Sequence, residues 1–196
     1  MRSRSPTSTP SSELGLRLTD LTHARGDELD ARTSDELRLF LDEAYDGAFA
    51  DEDWEHALGG VHVLLREDDA LVAHAAVVER ALAHRDAQLR AGYVEALAVR
   101  RDRRRCGHGS AVMESVEGVI RAGFELGALS DGTGIDGFYG RRGWIPWAGT
   151  TWVAAPGGLE RTAEDDGGVY VLCTPTTPEL DVDGKLVCDW RLGDVW

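Results

Sequence analysis

The most constraining feature of this sequence is an apolar strand that leads into a glycine-containing, arginine-rich loop and then into a helix. Residues 93–99 have the apolar character of a buried strand. Residues 100–110 form the polar loop, and from about residue 109 to residue 122 apolar side chains recur at helical spacing. Strands joined to helices through short polar loops are the units from which helix-flanked sheets are built. The segment therefore predicts a sheet with helices packed against it.

The loop of this segment has the composition of an anion site. Gly107 and Gly109 lack side chains, so backbone N–H groups at the start of the helix can approach a ligand closely. The helix N-terminus contributes about half a positive charge, and the loop arginines contribute full charges. Such a site suits a pyrophosphate, although it matches neither the P-loop nor the G-x-G-x-x-G pattern. The alternative interpretation is a solvated arginine turn with a glycine cap.

The charges of the 196-residue chain are strongly segregated. The formal net charge is −14, which disfavours a general nucleic-acid-binding role, because that role needs a basic surface. The local net charge is −12 over residues 27–69, +5 over residues 80–105 and −6 over residues 160–196. A basic segment inside an acidic chain predicts two ligands of opposite charge. The alternative is that the acidic residues serve only solubility.

The other predicted elements complete a fold of the α+β (α/β) class, with a central mixed β-sheet flanked by helices. Ser34 is predicted to cap a helix, because apolar residues follow it at helical spacing. Residues 49–54 are predicted to form an acidic turn before a short helix that ends near Gly59. Further strands are predicted at residues 16–18, 61–65, 71–78, 128–130, 168–173 and 185–190.

Composition predicts one domain in a reducing compartment. Residues 1–14 are rich in Ser, Thr and Pro and are expected to form a disordered lead before a single domain at residues 15–196. No apolar stretch reaches the ~20 residues of a membrane span, and no apolar region typical of a secretory signal follows the first residues. Three cysteines at irregular spacing favour free thiols and a cytoplasmic location. The histidines lack the spacing of metal ligands, so no metal site is predicted.

Several motifs resemble those of the aminoglycoside 2′-N-acetyltransferases, within the GNAT acetyltransferase superfamily. Arg104-x-x-Gly107-x-Gly109 is similar to the R/Q-x-x-G-x-G/A signature with which GNAT enzymes hold the pyrophosphate of acetyl-CoA. Further matches are Tyr93-Val94-Glu95-Ala96, Gly127-Ala128-Leu129-Ser130 and Tyr139-x-x-x-Gly143-Trp144. Two matches are more specific than the loop signature: Asp53-Trp54-Glu55-His56-x-Leu58-Gly59-Gly60-x-His62 and Cys188-Asp189-Trp190-Arg191-x-Gly193-Asp194-x-Trp196. The likeness extends over about residues 16–196. It implies a GNAT fold and transfer of an acetyl group from acetyl-CoA to the 2′-amine of aminoglycosides such as gentamicin, tobramycin and kanamycin B.

The resemblance implies catalytic roles for three residues. Glu95 is the candidate general base, because the attacking amine must lose a proton, directly or through a water. Tyr139 is the candidate acid that protonates the departing thiolate of coenzyme A. Trp196 contributes the terminal carboxylate. The alternatives are a salt-bridged glutamate for Glu95, a core aromatic for Tyr139 and a frayed terminus for Trp196.

The resemblance also assigns residues to the two ligands, whose charges match the acidic and basic segments. Acetyl-CoA or coenzyme A is implied to bind the strand backbone and the loop at Leu97, Ala98, Val99, Arg104, Arg105, Cys106, Gly107, His108, Gly109 and Ser110. The aminoglycoside is implied to bind Asp51, Asp53, Glu95, Ala96, Ser130, Glu164, Asp165, Asp194 and Trp196. Nothing resembles an activated Cys or Ser nucleophile, so direct attack in a ternary complex is expected.

Two other functions are compatible with these residues. The same fold could acetylate another cationic amine, such as a polyamine or a cell-wall amino sugar, with aminoglycoside acetylation incidental. A catalytically inactive acyl-CoA-binding module is the third hypothesis, and the presence of Glu95, Tyr139 and the glycine loop counts against it. No nucleic-acid or membrane partner is expected. GNAT enzymes often form homodimers, and no feature of the sequence decides the oligomeric state.

Overall fold

The computed structural model describes residues 18–132, 134 and 137–196, so the predicted lead and two residues of the predicted strand 16–18 lie outside the described residues. The described part contains three α-helices: α1 (Ala31–Ala44), α2 (Asp51–Leu58) and α3 (His108–Gly123). The strands are β1 (Thr19–Arg25), β2 (Val61–Glu67), β3 (Ala70–His84), β4 (Ala87–Val99), β5 (Leu126–Ser130), β6 (Ile145–Pro146), β7 (Thr150–Ala155), β8 (Gly158–Arg161), β9 (Val169–Cys173) and β10 (Lys185–Asp189). None of the described helices has the length and apolar character needed to cross a membrane.

The described strands form one mixed sheet. Its order is β6-β9-β5-β4-β3-β10-β7-β8, and β2 and β1 branch from β3. The pairs β4–β5 and β10–β7 are parallel, whereas the other pairs are antiparallel. The predicted central mixed sheet flanked by helices is therefore confirmed.

The long strand β3 pairs with two different strands along one of its sides. Its first half pairs with β2, whereas its last residues, Leu82 to His84, pair with β10. Strands β2 and β10 thus lie one after the other along the same side of β3, while β4 lies on the other side. The C-terminal tail that follows β10 consequently begins next to the middle strands.

Helices cover both faces of the sheet. The apolar stripe of α3, which includes Val112, Val116 and Ile120, packs with Val94 of β4 in one core cluster. Leu37 and Leu41 of α1 belong to a second cluster with Ala98 of β4. The last strand residues before the arginine-rich loop are therefore held from two sides.

Three local predictions need correction. Helix α1 begins at Ala31 rather than after Ser34, because Asp30 already caps it by accepting the Thr33 N–H at 2.7 Å. The predicted acidic turn at residues 49–54 is mostly the first turn of α2, where acidic side chains favour the helix N-terminus. The strand predicted at residues 93–99 is longer, because β4 already begins at Ala87, where it pairs with His84 of β3.

Candidate active site

Strand β4 separates from β5 halfway along its length. The parallel ladder joins residues 91–93 to residues 126–128, and β4 then continues to Val99 without a further β5 partner in the described ladders. A gap therefore opens between the two strands beyond Tyr93. The backbone of Leu97, Ala98 and Val99, predicted to bind the cofactor, lies in this separated part of β4.

A β-bulge interrupts β4 at the same place. Glu95 lies opposite Ala76 on β3, whereas Ala98 lies opposite His74, so three steps on β4 match two on β3. Ala96 in the bulge has a φ of +51°, in the left-handed region that alanine rarely adopts. Because of the extra residue, Glu95 and Ala98 face the same side of the sheet, which a regular strand would not allow.

The start of α3 presents free backbone donors. Gly107, with a φ of +90°, precedes the helix, and the first helical hydrogen bond runs from the Ala111 N–H to the Gly107 carbonyl at 3.0 Å. The N–H groups of His108, Gly109 and Ser110 therefore have no acceptor within the helix. A Cβ placed on Gly107 would meet open space, so a ligand can approach this turn.

Most loop arginines are engaged within the protein. Arg100 pairs with Asp102 (2.7 Å), Arg101 with Asp46, Arg103 with Glu67 (2.8 Å), and Arg104 donates to the carbonyls of Val99 (3.1 Å) and Ala44 (3.2 Å). Arg105, by contrast, has no hydrogen bond or ion pair within residues 18–132, 134 and 137–196. The neighbouring Cys106 thiol donates to the Arg104 carbonyl at 3.6 Å. Of the two predicted cofactor arginines, Arg104 therefore braces the loop and Arg105 is the one available to an anion.

Glu67 at the end of β2 fixes this loop and was missed from the sequence. Its carboxylate accepts Arg103 Nε at 2.8 Å and lies 3.1 Å from His108 Nε2. The Glu67 side chain is largely buried. Glu67 therefore connects the loop and the first residue of α3 to the end of β2.

The candidate base Glu95 forms an ion pair with Arg191 of the C-terminal tail. Both side chains are largely buried, with 15% and 14% of their surface exposed. Arg191 also donates from Nε to the Asp194 carbonyl at 2.6 Å. One guanidinium therefore joins the candidate base to the turn that carries the candidate substrate acid Asp194.

Arg80 closes the tail into a loop. It donates to the Asp189 carboxylate (2.9 Å), the Asp189 carbonyl (2.6 Å) and the Val195 carbonyl (2.6 Å). The guanidiniums of Arg80 and Arg191 both lie over the Tyr93 ring, at 5.1 and 5.5 Å from its centroid. Burial, and then the nearby Glu95, raise the pKa of the Tyr93 phenol. These tail contacts involve residues distant in sequence, and no local motif indicated them.

The C-terminal residue itself is packed. The Trp196 side chain is 5% exposed, and its indole N–H donates to the Thr162 hydroxyl at 2.9 Å. Thr162 directly precedes a short 3-10 turn, Ala163–Asp165, which contains two further predicted substrate acids. The tail and this turn are therefore neighbours.

An acidic cluster forms where the turn and the tail meet. The pKa of Asp165 is raised, first by partial burial, then by the charges of Glu164 and Asp194. Three predicted substrate residues are therefore close together, with the Asp165 carboxylate repelled by both Glu164 and Asp194. A polycationic ligand would relieve this repulsion.

The acids of α2 have structural partners. Asp51 is exposed and pairs with Arg38 at 3.0 Å, whereas the Asp53 carboxylate accepts the backbone N–H of Ala50 at 2.9 Å. Tyr45, at the end of α1, was missed from the sequence. Its hydroxyl donates to the Leu97 carbonyl at 3.1 Å. Burial of this hydroxyl, and then the charges of Glu95 and Asp53, raise the pKa of the Tyr45 phenol to about 12.

Tyr139 lies on the side of the sheet that α3 covers. It belongs to the same core cluster as Val94, and its ring centroid is 5.5 Å from that of Tyr170. The buried Glu117 of α3 accepts hydrogen bonds from Arg142 (2.7 Å) and the Trp144 indole (3.0 Å), which fixes the turn after Tyr139. Since Val94 and Glu95 alternate across the strand, Tyr139 and Glu95 lie on opposite faces of the sheet.

Ala96 and Ser130 lie at the two strand ends that border the gap. Ala96 occupies the bulge of β4, and Ser130 is the last residue of β5, paired with Val169. Both are partly buried. The predicted substrate set is thus distributed over the bulge, the β5 end, the acidic cluster and α2.

Comparisons with known proteins agree with this arrangement. A model of the "Acetyltransferase (GNAT) family" matches residues 27–144. An aminoglycoside 2′-N-acetyltransferase of Mycolicibacterium fortuitum is 51% identical over 171 residues, covering 86% of this chain and 88% of that protein. Among solved structures, Escherichia coli ElaA has a TM-score of 0.57 at 15% identity, covering 79% of this chain and 99% of its own. A GNAT family acetyltransferase from Brucella melitensis in complex with acetyl-CoA has a TM-score of 0.53 at 14% identity, covering 85% of this chain and 94% of its own. These two structures share the fold, and the family model together with the 51% identical relative shows that the chain belongs to the GNAT family of acetyltransferases.

Proposed function

We propose that this acetyltransferase moves the acetyl group of acetyl-CoA to the 2′-amino group of an aminoglycoside, by direct attack in a ternary complex. The observation that carries the proposal is the position of Glu95, which lies at the bulge of the separated strand and is joined through Arg191 to the acid-bearing tail. The relative from M. fortuitum bears the name of this activity. A polycationic substrate also fits the acidic regions on either side of the basic loop.

The residues at the gap fit acetyl-CoA. The N–H groups at positions 108–110, which have no acceptor within α3, suit a pyrophosphate, and so does Arg105, which has no partner in the described part of the chain. The separated backbone at positions 97–99 suits an amide-containing arm. When bound, acetyl-CoA supplies the acetyl thioester. The proposed holding residues are Leu97, Ala98, Val99, Arg104, Arg105, Cys106, Gly107, His108, Gly109 and Ser110. Arg104 acts here by bracing the loop, since both of its contacts are to backbone carbonyls.

The acidic cluster and the α2 acids are the proposed aminoglycoside site. Mutual repulsion among Glu164, Asp165 and Asp194 is relieved when ammonium groups bind between them. Asp53 and Glu95, whose charges both raise the pKa of the Tyr45 phenol, provide a second anionic pair. An aromatic ring next to carboxylates suits an aminated sugar, because the ring packs against the apolar face of the sugar and the carboxylates bind its ammonium groups. Asp51, Ala96, Ser130 and the Trp196 carboxylate complete the proposed set.

Glu95 has the central catalytic role in this proposal. Its carboxylate accepts the proton that the attacking amine loses, directly or through a water. The Glu95 carboxylate is paired with the Arg191 guanidinium in the structure. A substrate ammonium therefore shares this carboxylate with Arg191, or displaces the guanidinium, as it binds. Tyr139, from the opposite face of the sheet, donates its hydroxyl proton to the departing sulfur through the gap between β4 and β5. No residue of the chain becomes acetylated.

A paired-substrate assay tests the proposal. Thiol release from acetyl-CoA is followed with kanamycin B, which carries a 2′-amine, and with its 2′-hydroxy counterpart. We expect turnover of the first and none of the second. Equal turnover of both, or of neither, would refute the proposal. A polyamine in a third arm reports on the broader specificity, since turnover of the polyamine at a similar kcat/KM would favour another cationic amine as the substrate.

The proposal extends to location and assembly. A cytoplasmic location follows from the use of acetyl-CoA and from the free cysteines of the described part. A homodimer is the assembly expected of many GNAT enzymes. Analytical ultracentrifugation of the purified protein measures its oligomeric state.

A further inference from the structure

Two histidines are buried side by side beneath the bulge of β4. His62 of β2 and His74 of β3 are both fully buried, and their ring centroids are 5.2 Å apart. His74 lies opposite Ala98, on the face of the sheet that carries Glu95. No group of three or more metal-ligating side chains occurs among the described residues, so the pair needs another explanation.

The two rings and the bulge form one chain of hydrogen bonds. His62 Nδ1 lies 3.0 Å from His74 Nε2, and His74 Nδ1 lies 2.9 Å from the carbonyl oxygen of Ala96. That carbonyl belongs to the residue with the left-handed backbone, directly after Glu95. The histidine chain therefore ends on the peptide group between Ala96 and Leu97, inside the bulge that directly follows the candidate base.

The acceptors in this chain determine where its protons lie. A carbonyl only accepts, so His74 Nδ1 carries a proton. Burial lowers the pKa of both histidines, that of His74 to about 3, so both rings are neutral at pH 7. His74 Nε2 is then an acceptor, and His62 donates to it from Nδ1. The remaining nitrogen, His62 Nε2, is buried without a hydrogen-bond partner among the described residues.

The hydrogen bond from His74 holds the backbone of Ala96 in its left-handed conformation. Alanine has little intrinsic preference for a positive φ, so an external contact must hold the Ala96 peptide in that conformation. His74 is fully enclosed and its far nitrogen is held by His62, so its Nδ1–H has one direction available. The donor therefore selects the bulged path of β4 over the regular one.

We propose that His74, oriented by His62, is a positioning residue that fixes the Ala96 bulge and thereby aims the Glu95 carboxylate at the substrate amine. The inference rests on the proposed function for its catalytic consequence. Neither histidine touches the reacting atoms. Their effect is on kcat rather than on the binding of either substrate.

His84 provides a matched control. It is also buried, its Nδ1 lies 2.9 Å from the Lys185 carbonyl, and its Nε2 accepts the Asp181 N–H at 3.1 Å. This histidine thus supports a strand carbonyl in the same way, but in β3 and β10 rather than at the bulge. A loss that comes only from removing a buried histidine will appear equally at both positions.

The experiment compares His74→Asn with His74→Phe. The asparagine amide nitrogen occupies the place of Nδ1 and can still donate to Ala96, whereas phenylalanine keeps the ring and loses the donor. We expect His74→Phe to lower kcat by about 10- to 100-fold with little change in either KM, and His74→Asn to restore most of the rate. His84→Phe lowers the melting temperature and leaves kcat unchanged. Equal kcat values for the two His74 variants would overturn the inference.

Two additions keep the outcome decisive. If His74→Phe does not fold, His74→Gln replaces it, because its amide extends to the position of Nε2 and misses the Ala96 carbonyl. Amide exchange of the peptide that covers residues 95–98 is measured in every variant. Faster exchange in the phenylalanine or glutamine variant, but not in the asparagine variant, supports positioning even if the wild-type protein acetylates no aminoglycoside. Unchanged exchange in all variants overturns it, whatever the substrate.

Discussion

The Glu95 carboxylate on β4 is paired with the guanidinium of Arg191, which lies 96 residues later in the chain. Arg191 also donates to the Asp194 carbonyl, so the same side chain holds both the candidate base and the tail that carries a substrate acid. The geometry links proton acceptance to substrate binding. A change at Arg191 should therefore affect the two functions in a defined way.

Replacing Arg191 with lysine should weaken aminoglycoside binding. A lysine ammonium cannot hold the Glu95 carboxylate and the Asp194 carbonyl with the planar fork that arginine provides. We expect the KM for the aminoglycoside to rise by about tenfold, equivalent to one charge-assisted hydrogen bond, while the KM for acetyl-CoA changes little. Arg85→Lys, which alters an exposed pair with Asp181, is the control. A larger change in the acetyl-CoA KM would contradict the assignment.

Replacing Glu95 with glutamine should remove the base and keep its shape. We expect kcat to fall by about 10²- to 10⁴-fold, because general base catalysis contributes effects of that size. The acetyl-CoA KM should stay near the wild-type value. Glu79→Gln, an exposed residue on β3 paired with Arg90, serves as the control and should leave kcat unchanged. If Glu95→Gln instead raises the acetyl-CoA KM at an unaltered kcat, Glu95 belongs to cofactor binding.

Neutralising Asp165 of the acidic cluster and neutralising the adjacent Asp166 should change the melting temperature in opposite directions. The pKa of Asp165 is raised in the folded state, so its ionised form destabilises the fold above that pKa, and this cost disappears as the pH falls to about 4. Asp165→Asn should therefore raise the melting temperature at pH 7 by about 2 °C. The pKa of Asp166 is lowered, first by its hydrogen bond with Arg161, so Asp166→Asn should lower the melting temperature at pH 7.

Asp165→Asn should also weaken aminoglycoside binding. Asp165→Asn removes one of the repelling carboxylates that a polycation neutralises, so we expect the aminoglycoside KM to rise although the protein is more stable. Thermal unfolding at pH 7 and pH 4, combined with steady-state kinetics, measures both effects. Destabilisation by Asp165→Asn at pH 7, or an unchanged aminoglycoside KM, would contradict the proposed role of this cluster.

The loop arginines should differ in how much each contributes to acetyl-CoA binding. Arg105 lacks a partner in the described part of the chain, whereas Arg101 pairs with Asp46. We expect Arg105→Ala to raise the acetyl-CoA KM by about tenfold, more strongly at low salt, because a charged contact to the pyrophosphate is lost. Arg101→Ala should have little effect on that KM. Equal effects would indicate that only the total positive charge of the loop matters.

The sequence was most informative where the signal is local. The strand, the glycine-bearing loop and α3 follow from residues that are adjacent in the chain. The helix lies nearly where it was predicted, and the strand ends at the predicted residue but begins six residues earlier, at Ala87. The short-range rules also explain the main error in α1. Asp30 and Ser34 are both good caps, and the earlier one begins the helix.

The parts that could not be predicted depend on distant contacts. The apolar run of residues 93–99 gives no sign of the bulge, because Ala96 is not a residue that favours a positive φ. Arg80 and Arg191 look like ordinary charged residues until the tail folds back over Tyr93. Glu67 and Tyr45 likewise reach the site only through pairing of separate elements.

The site of acetylation on the product tests the central claim most directly. After reaction of kanamycin B with acetyl-CoA and the purified protein, mass spectrometry counts the acetyl groups and NMR locates them. We predict a single acetyl group on the 2′ nitrogen. Acetylation of a different amine, or no acetylated product, would contradict the proposed function.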